Sequence, residues 1–331
     1  MALAGAQGRA GKAETGAAKF RDPNWTVGGD RRASVGLERL RTLWFNTGTL
    51  CNITCRNCYI ESSPTNDRLV YLTTGEVRDF LDEIARNGLG TTEIGFTGGE
   101  PFMNPDIILM LDAALARGLE VLVLTNGLQP ILRPRVKKGL LGLLEAHGAR
   151  LTVRVSLDHY TRQLHETERG PRTFAKSLEA IDWLTGAGFK TAIAGRTCWN
   201  ETEDVARAGY AALIAQRGWR IDPEDPLALV LLPEMDGGSE VPEISVGCWQ
   251  VLGKTPGDLM CAQSRMIVKR KGEARPAVVP CTLLPYEPAF EMGPTLADAA
   301  HADGAMFEAG HVKLCHPHCA KFCVLGGGSC S

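Results

Sequence analysis

Val121-Leu122-Val123-Leu124 runs four apolar residues together without a polar break. A half-buried strand alternates apolar and polar residues, whereas a short unbroken run fits a strand covered on both faces, as in a parallel sheet. The flanking sequence supports that reading. Upstream, Pro105 opens a helical stretch that closes near Gly118, and Glu93–Phe96 is a second apolar strand. Before that strand, Thr73-Thr74-Gly75-Glu76 has the spacing of a capping box. Val77, Phe80, Leu81 and Ile84 follow at i, i+3, i+4 and i+7, and Gly88 stands where the helix should stop. Leu43–Asn46 supplies the first strand. Downstream, Leu140, Leu141, Leu143 and Leu144 place a helix near 135–147, and Leu151–Leu157 is a fourth strand. Phe174, Leu178 and Ile181 mark a helix, Thr191–Ala194 a fifth strand, 201–216 a polar-started helix and Leu227–Leu232 a sixth strand. Six alternations of strand and helix predict an α/β fold, a partial (β/α)6 TIM-like barrel over residues 41–235 with right-handed parallel crossovers.

Composition limits the function classes. The chain has 331 residues, 44% hydrophobic and 22% charged, which is globular and excludes extended disorder. A formal charge of −2 lacks the basic excess of a general nucleic-acid binder. No run of about 18 apolar residues is present, so no transmembrane helix is expected. The first residues are Ala, Gly and charge without the apolar core of a signal peptide, and the expected location is the cytoplasm. Residues 1–40 read as a flexible tail, with Phe20 and Trp25 its only aromatics. After Pro233 the alternation ends. Residues 245–331 hold seven of the eleven cysteines among many Gly and Pro, so this extension is expected to depend on metal rather than on an apolar core.

Cys51-Asn52-Ile53-Thr54-Cys55-Arg56-Asn57-Cys58 places three thiols in eight residues just past the first strand. Catalytic groups of parallel barrels lie in such loops, at the carboxyl ends of strands. Three thiolates hold three corners of a four-iron cube and leave one iron open to a ligand; by spacing alone, a structural zinc knuckle is also possible. The second strand ends in Thr97-Gly98-Gly99-Glu100-Pro101, beside that loop.

The Cys-x3-Cys-x2-Cys spacing and the Gly-Gly-Glu-Pro turn together resemble the radical S-adenosylmethionine (SAM) superfamily. The resemblance implies that Cys51, Cys55 and Cys58 ligate a catalytic [4Fe-4S] cluster. It also implies that Gly98, Gly99 and Glu100 hold the amino group of the SAM methionine, and that Ser156, in Val155-Ser156-Leu157-Asp158, lies near the cofactor's ribose and carboxylate. Arg196 suits either that carboxylate or an exposed ion pair. Asn57 stands where many members have an aromatic residue, with Tyr59 after the cysteine instead. In the family, a reduced cluster gives one electron to the sulfonium, the carbon–sulfur bond breaks, and a 5′-deoxyadenosyl radical takes hydrogen from substrate. No catalytic residue beyond the cluster ligands is identified.

Cys261, Gly272, Cys281, Cys315, Cys319, Cys323 and Cys330 resemble, more loosely, the auxiliary iron–sulfur extensions called SPASM and twitch. The resemblance implies an auxiliary cluster held by some of those six cysteines, in an extension that caps the barrel mouth. Cys315-His316-Pro317-His318-Cys319 would equally suit zinc. Cys198 reads as a buried apolar residue. Peptide modification is the favoured activity, with action on a small metabolite, as in molybdenum-cofactor cyclase relatives, the alternative. A non-catalytic iron–sulfur or zinc protein is the remote one. The implied electron donor is of the flavodoxin or ferredoxin type.

Overall fold

A computed structural model describes residues 19–233 and 240–326. After a short strand β1 (Ser34–Val35), the chain runs β2 (Thr42–Asn46), α1 (Thr74–Asn87), β3 (Glu93–Thr97), α2 (Ile107–Leu115) and β4 (Glu120–Thr125). It continues through α3 (Gln129–Leu132), α4 (Pro134–His147), β5 (Leu151–Ser156), α5 (Arg162–Arg169), α6 (Thr173–Ala187), β6 (Lys190–Arg196), α7 (Glu203–Arg217) and β7 (Leu229–Leu232). β2 to β7 lie side by side in chain order, each parallel to the next. The expected half-barrel is therefore present, with its strands in register across the whole set.

Local sequence explains the elements. The Thr73 hydroxyl accepts from the Glu76 amide and the Glu76 carboxylate accepts from the Thr73 amide, closing the capping box at the start of α1. Gly88 ends the helix in the left-handed region at φ 57°. On the outer face of β2, Phe45 packs edge-on to Phe80 of α1 at 6.3 Å. Each such fully buried side chain contributes about 1.5–3 kcal/mol. The inner face carries Trp44, fully buried among Leu69, Leu122 and Met266. A Cβ on Gly95 of the neighbouring strand would lie 2.3 Å from the Trp44 ring, so glycine makes room for it.

The carboxyl-terminal part departs from expectation. Following α8 (Cys248–Leu252), strand β8 (Ser264–Val268) pairs parallel with β2, and β9 (Ala277–Val279) turns back antiparallel to β8. The sheet thus has eight strands in the order β7-β6-β5-β4-β3-β2-β8-β9. Met266, Ile267, Val268, Val278 and Val279 are all fully buried, so the extension shares an apolar interior with the barrel rather than relying on metal alone.

The remaining elements are α9 (Leu296–Ala300), β10 (Phe307–Glu308), β11 (His311–Lys313) and a π-helical turn, Cys319–Leu325. β11 pairs with β1, which ties the amino-terminal segment to the extension. Arg32 fixes that junction through a buried ion pair with Glu243 at 2.5 Å and a bond to the Leu314 carbonyl at 3.2 Å. Within residues 1–40, read from sequence as tail, the stretch Arg32–Val35 is packed, because Arg32, Ala33 and Val35 find buried partners far along the chain. Among the described residues no helix is long and apolar enough to cross a membrane.

Candidate active site

The three thiols of the first cluster lie at the carboxyl ends of the strands, on a loop stitched in place by backbone bonds. Thr47 N–H donates to the Thr97 carbonyl at 2.8 Å, Gly99 N–H to Gly48 at 2.8 Å, and Glu100 N–H to Leu50 at 3.2 Å. The paired glycines allow this contact. A Cβ on Gly98 (φ +146°) would fall 2.5 Å from the Gly48 carbonyl oxygen, and one on Gly99 would fall 2.3 Å from that of Leu50. From β4, the Asn126 amide donates to Asn52 Oδ1 at 2.9 Å and sits 3.7 Å from Cys51 Sγ. From α5, Glu168 accepts from Arg56 N–H through its carbonyl at 2.8 Å and from the Asn57 amide through its carboxylate at 3.0 Å. Asn57 therefore spends its side chain on holding the loop, while Tyr59 lines the cavity.

Cys51, Cys55 and Cys58 line one end of that cavity, with Gly98, Gly99 and Ser156 also on its wall. Beside them stands a charged trio, with Arg196 donating to the Asn57 carbonyl of the cysteine loop at 3.2 Å. Asp158 accepts from Arg169 at 2.6 and 3.1 Å and from Arg196 at 3.3 Å. Two guanidiniums against one carboxylate leave a net positive charge facing the thiols. Burial opposes ionisation of Asp158, yet Arg169 and Arg196 more than offset it and hold the carboxyl below its usual range. Burial pushes the Cys51 thiol up to about 12, with Glu100, Cys55 and Cys58 adding to it. Such a thiol loses its proton to solvent when a strongly bound metal cation takes the proton's place. Arg196 Nη1 is buried without a hydrogen-bond partner, which leaves one N–H free for an anionic ligand in the cavity.

The family model for the radical SAM superfamily matches residues 45–204. This is a radical SAM domain. AlbA of Bacillus subtilis (strain 168), the antilisterial bacteriocin subtilosin biosynthesis protein, is 32% identical over 145 residues, which are 44% of this chain and 30% of AlbA. The mycofactocin maturase MftC of Mycolicibacterium smegmatis is 28% identical over 183 residues, 55% of this chain and 44% of MftC. The AdoMet-dependent heme synthase of Methanosarcina barkeri is 32% identical over 143 residues, 42% of this chain and 37% of that protein. The chain thus spans under half the length of these curated relatives. Among solved structures, Streptococcus suis SuiB bound to S-adenosylmethionine superposes with a TM-score of 0.57 at 12% identity, covering 80% of this chain and 66% of SuiB. The structure of anSMEcpe with bound AdoMet gives 0.54 at 15% identity, covering 79% of this chain and 80% of anSMEcpe. Those two likenesses are of fold. Radical SAM proteins are enzymes that use a [4Fe-4S] cluster and SAM, and the donor set of three thiols beside a net cationic wall fits both groups.

Within the radical SAM domain Glu100 is engaged by the protein itself. The Glu100 carboxylate does not reach the cavity wall. It is 1% exposed and accepts from Phe102 N–H at 3.1 Å, Asn126 N–H at 2.8 Å and the Thr125 hydroxyl at 2.9 and 3.1 Å. Its neighbouring groups satisfy it locally, and through them it braces β3 against β4. Burial pushes its pKa up to about 7 against the pull of those donors. Helix α5, which carries Glu168 and Arg169, had no place in the sequence reading. Its buried residues, His165, Glu168 and Arg169, are all polar, so no apolar period marks it. Cys198 is half-buried rather than buried.

The carboxyl-terminal thiols form a second group. Cys261 precedes β8 and Cys281 follows the antiparallel β9, which puts both at the amino ends of the parallel strands, away from Cys51. The extension also meets the segment after the cysteine loop, where the Tyr286 hydroxyl donates to the Ile60 carbonyl at 2.5 Å. The Cys319 thiol is buried within electrostatic reach of Cys281, Cys261 and Cys315, and burial followed by their charges raises its pKa. Met260, Leu283 and Phe322, each within two residues of one of these cysteines or of Cys323, line the far end of the cavity. The zinc-like run is not folded around one ion: the Cys315 thiol donates to the Phe20 carbonyl at 3.2 Å, and His318 Nδ1 faces the Leu283 carbonyl at 3.3 Å. Among the described residues no three His, Cys, Asp or Glu side chains are set to hold a single metal ion. Cys330 lies outside the described residues.

Proposed function

We propose that this protein binds a [4Fe-4S] cluster through Cys51, Cys55 and Cys58, binds SAM beside it, and uses the radical so generated to take hydrogen from a peptide substrate. The observation that carries the reading is the shared cavity wall, with three thiols and, beside them, Arg169, Arg196 and Asp158. When bound, the cluster supplies the electron that splits SAM to methionine and a 5′-deoxyadenosyl radical. The chain's own work is positioning. Gly98 and Gly99 bring the second strand against the cysteine loop, and Arg196 offers its free N–H to the methionine carboxylate. Ser156 stands on the same wall toward the ribose.

A peptide is favoured because the far wall is apolar. Val230, Leu232, Met260, Leu283 and Phe322 would receive an aliphatic or aromatic side chain and exclude water from the radical. AlbA, MftC and SuiB, which was solved bound to a precursor peptide, are the relatives that lean the same way. Arg154, lining the cavity at 6% exposure, favours the second reading, a small anionic metabolite. The extension is read as a SPASM- or twitch-like domain whose auxiliary cluster is held by Cys261, Cys281, Cys315 and Cys319, with Cys323 one turn further on. The natural reductant would be a flavodoxin- or ferredoxin-type protein. The test is anaerobic reconstitution, reduction with dithionite and addition of SAM. Formation of 5′-deoxyadenosine supports the reading and its absence rejects it. Deuterium carried from a labelled candidate peptide into 5′-deoxyadenosine separates the peptide from the metabolite.

A further inference from the structure

Arg265 is 1% exposed, on β8, between β2 and the edge strand β9. Only one of its nitrogens is engaged: Nη1 donates to the Cys261 carbonyl at 2.6 Å and to the Ser264 carbonyl at 2.7 Å. Nε and Nη2 are buried with no hydrogen-bond partner, and no carboxylate pairs with the side chain among the described residues. A guanidinium so placed is costly, since a buried charge is retained only where something anionic compensates it. The groups within its electrostatic reach are thiols, those of Cys261 and Cys281. As neutral thiols they compensate nothing. As four thiolates around a four-iron centre they would carry an excess of negative charge, together with sulfide acceptors for idle N–H groups.

We infer that Arg265 is the built-in counter-cation of the auxiliary centre, its free Nε and Nη2 aimed at the metal–sulfur group held by Cys261 and Cys281. The inference rests on reading those thiols as cluster ligands. Arg265 is then a positioning and tuning residue: it favours the reduced, more negative state of that centre and contributes nothing to the first cluster, which has Arg169 and Arg196 for the same purpose.

The test compares wild type, Arg265→Met and Arg265→Lys, each fully reconstituted, by iron content, by redox titration followed through the paramagnetic signal, and by thermal melting with and without iron. Wild type should hold more than four irons per chain. Arg265→Met should move the auxiliary midpoint to more negative potential, leave the first cluster's signal unchanged, and lower the melting temperature of the iron-loaded protein while raising that of the iron-free protein. That reversal of sign follows because methionine removes an uncompensated charge from the empty site and a compensated one from the filled site. A purely structural arginine predicts equal destabilisation of both forms, and that result would overturn the inference. If wild type holds only four irons, the reading of the thiols fails, and the inference with it. If wild type holds more but both variants keep its midpoint and signal, the inference alone fails. Should the Met variant not fold, Arg265→Lys decides: it keeps the charge but not the planar donors, so an intermediate shift supports the inference and an unchanged midpoint rejects it.

Discussion

The two groups of thiols are built in opposite ways. Cys51, Cys55 and Cys58 arrive within eight residues on one loop, and the fold needs only to pin that loop down. Cys261, Cys281, Cys315 and Cys319 come from separate elements, and only the return of β9, β11 and the π-helical turn brings them near one another. A loop tolerates remodelling, whereas a site assembled from distant elements is as stable as the scaffold that gathers it. Each group has its own buried arginine, yet Arg169 and Arg196 share Asp158 while Arg265 has no acid partner among the described residues. With its ligands as thiols the first site still has an acid beside its cations, whereas among the described residues the second has none.

The sharpest way to break this division is to remove one group at a time. Changing Cys51, Cys55 and Cys58 together to Ala should abolish SAM cleavage, lowering it by at least three orders of magnitude, while the remaining iron keeps its signal. Cleavage near the wild-type rate, read as 5′-deoxyadenosine formed per minute, would erase the distinction between the sites. The reverse experiment pairs Cys261→Ala with Cys281→Ala. Iron content should fall, product from substrate should drop at least tenfold, and SAM cleavage without substrate should stay within about threefold. Equal loss of both activities would mean that the second group serves the first.

A smaller effect separates bracing from binding. In Glu100→Gln the amide cannot accept all the bonds now made by Phe102, Thr125 and Asn126, which costs about 1–3 kcal/mol of stability. SAM affinity should change less than tenfold, measured by equilibrium binding beside a melting curve. A large loss of affinity with unchanged stability would put the carboxylate on the cofactor after all.

The smallest effect concerns α5, which clamps the first site only. Burial, followed by the charge of Arg169, pushes His165 down from 6.5 to about 4. Between those values the unfolded chain binds the proton that the folded chain refuses. The stabilisation is thus intact above pH 6.5 and is lost as pH falls toward 4, by no more than about 3 kcal/mol. Denaturant midpoints of His165→Phe should show a shallower decline than wild type across that window; parallel declines would place the acid sensitivity elsewhere.

What could be read in the sequence followed the range of the interactions. The capping box at Thr73 and Glu76, the strand ends at Asn46 and Thr97 and the cysteine loop are local patterns, and each lies where the pattern put it. Helix α5 was invisible because its inward face is His165, Glu168 and Arg169 at i, i+3 and i+4, a helical period written in charge. A search for polar residues at that spacing after a strand-end aspartate would have found it. Ser264–Val268 escaped because its apolar run is only Met266, Ile267 and Val268, preceded by Gln263, Ser264 and Arg265, and its partner β2 lies far back in the chain. The packing of Glu100 was not legible for a related reason: the motif gives the residue, whereas the direction of its side chain is set by donors at the end of β4.

The pairing of β8 with β2 also sets a schedule. The two strands are separated by about 220 residues, so at a synthesis rate of about 5–20 residues per second the first strand emerges roughly 10–40 s before its neighbour. Through that interval β2 is a sheet edge, with open amides and the apolar Leu43, Trp44 and Phe45 exposed to any passing strand. The nascent barrel therefore has its cysteine loop finished while its flank is still sticky. A chain stopped after β7 would be frozen in that condition, prone to pair with copies of itself before it ever met iron.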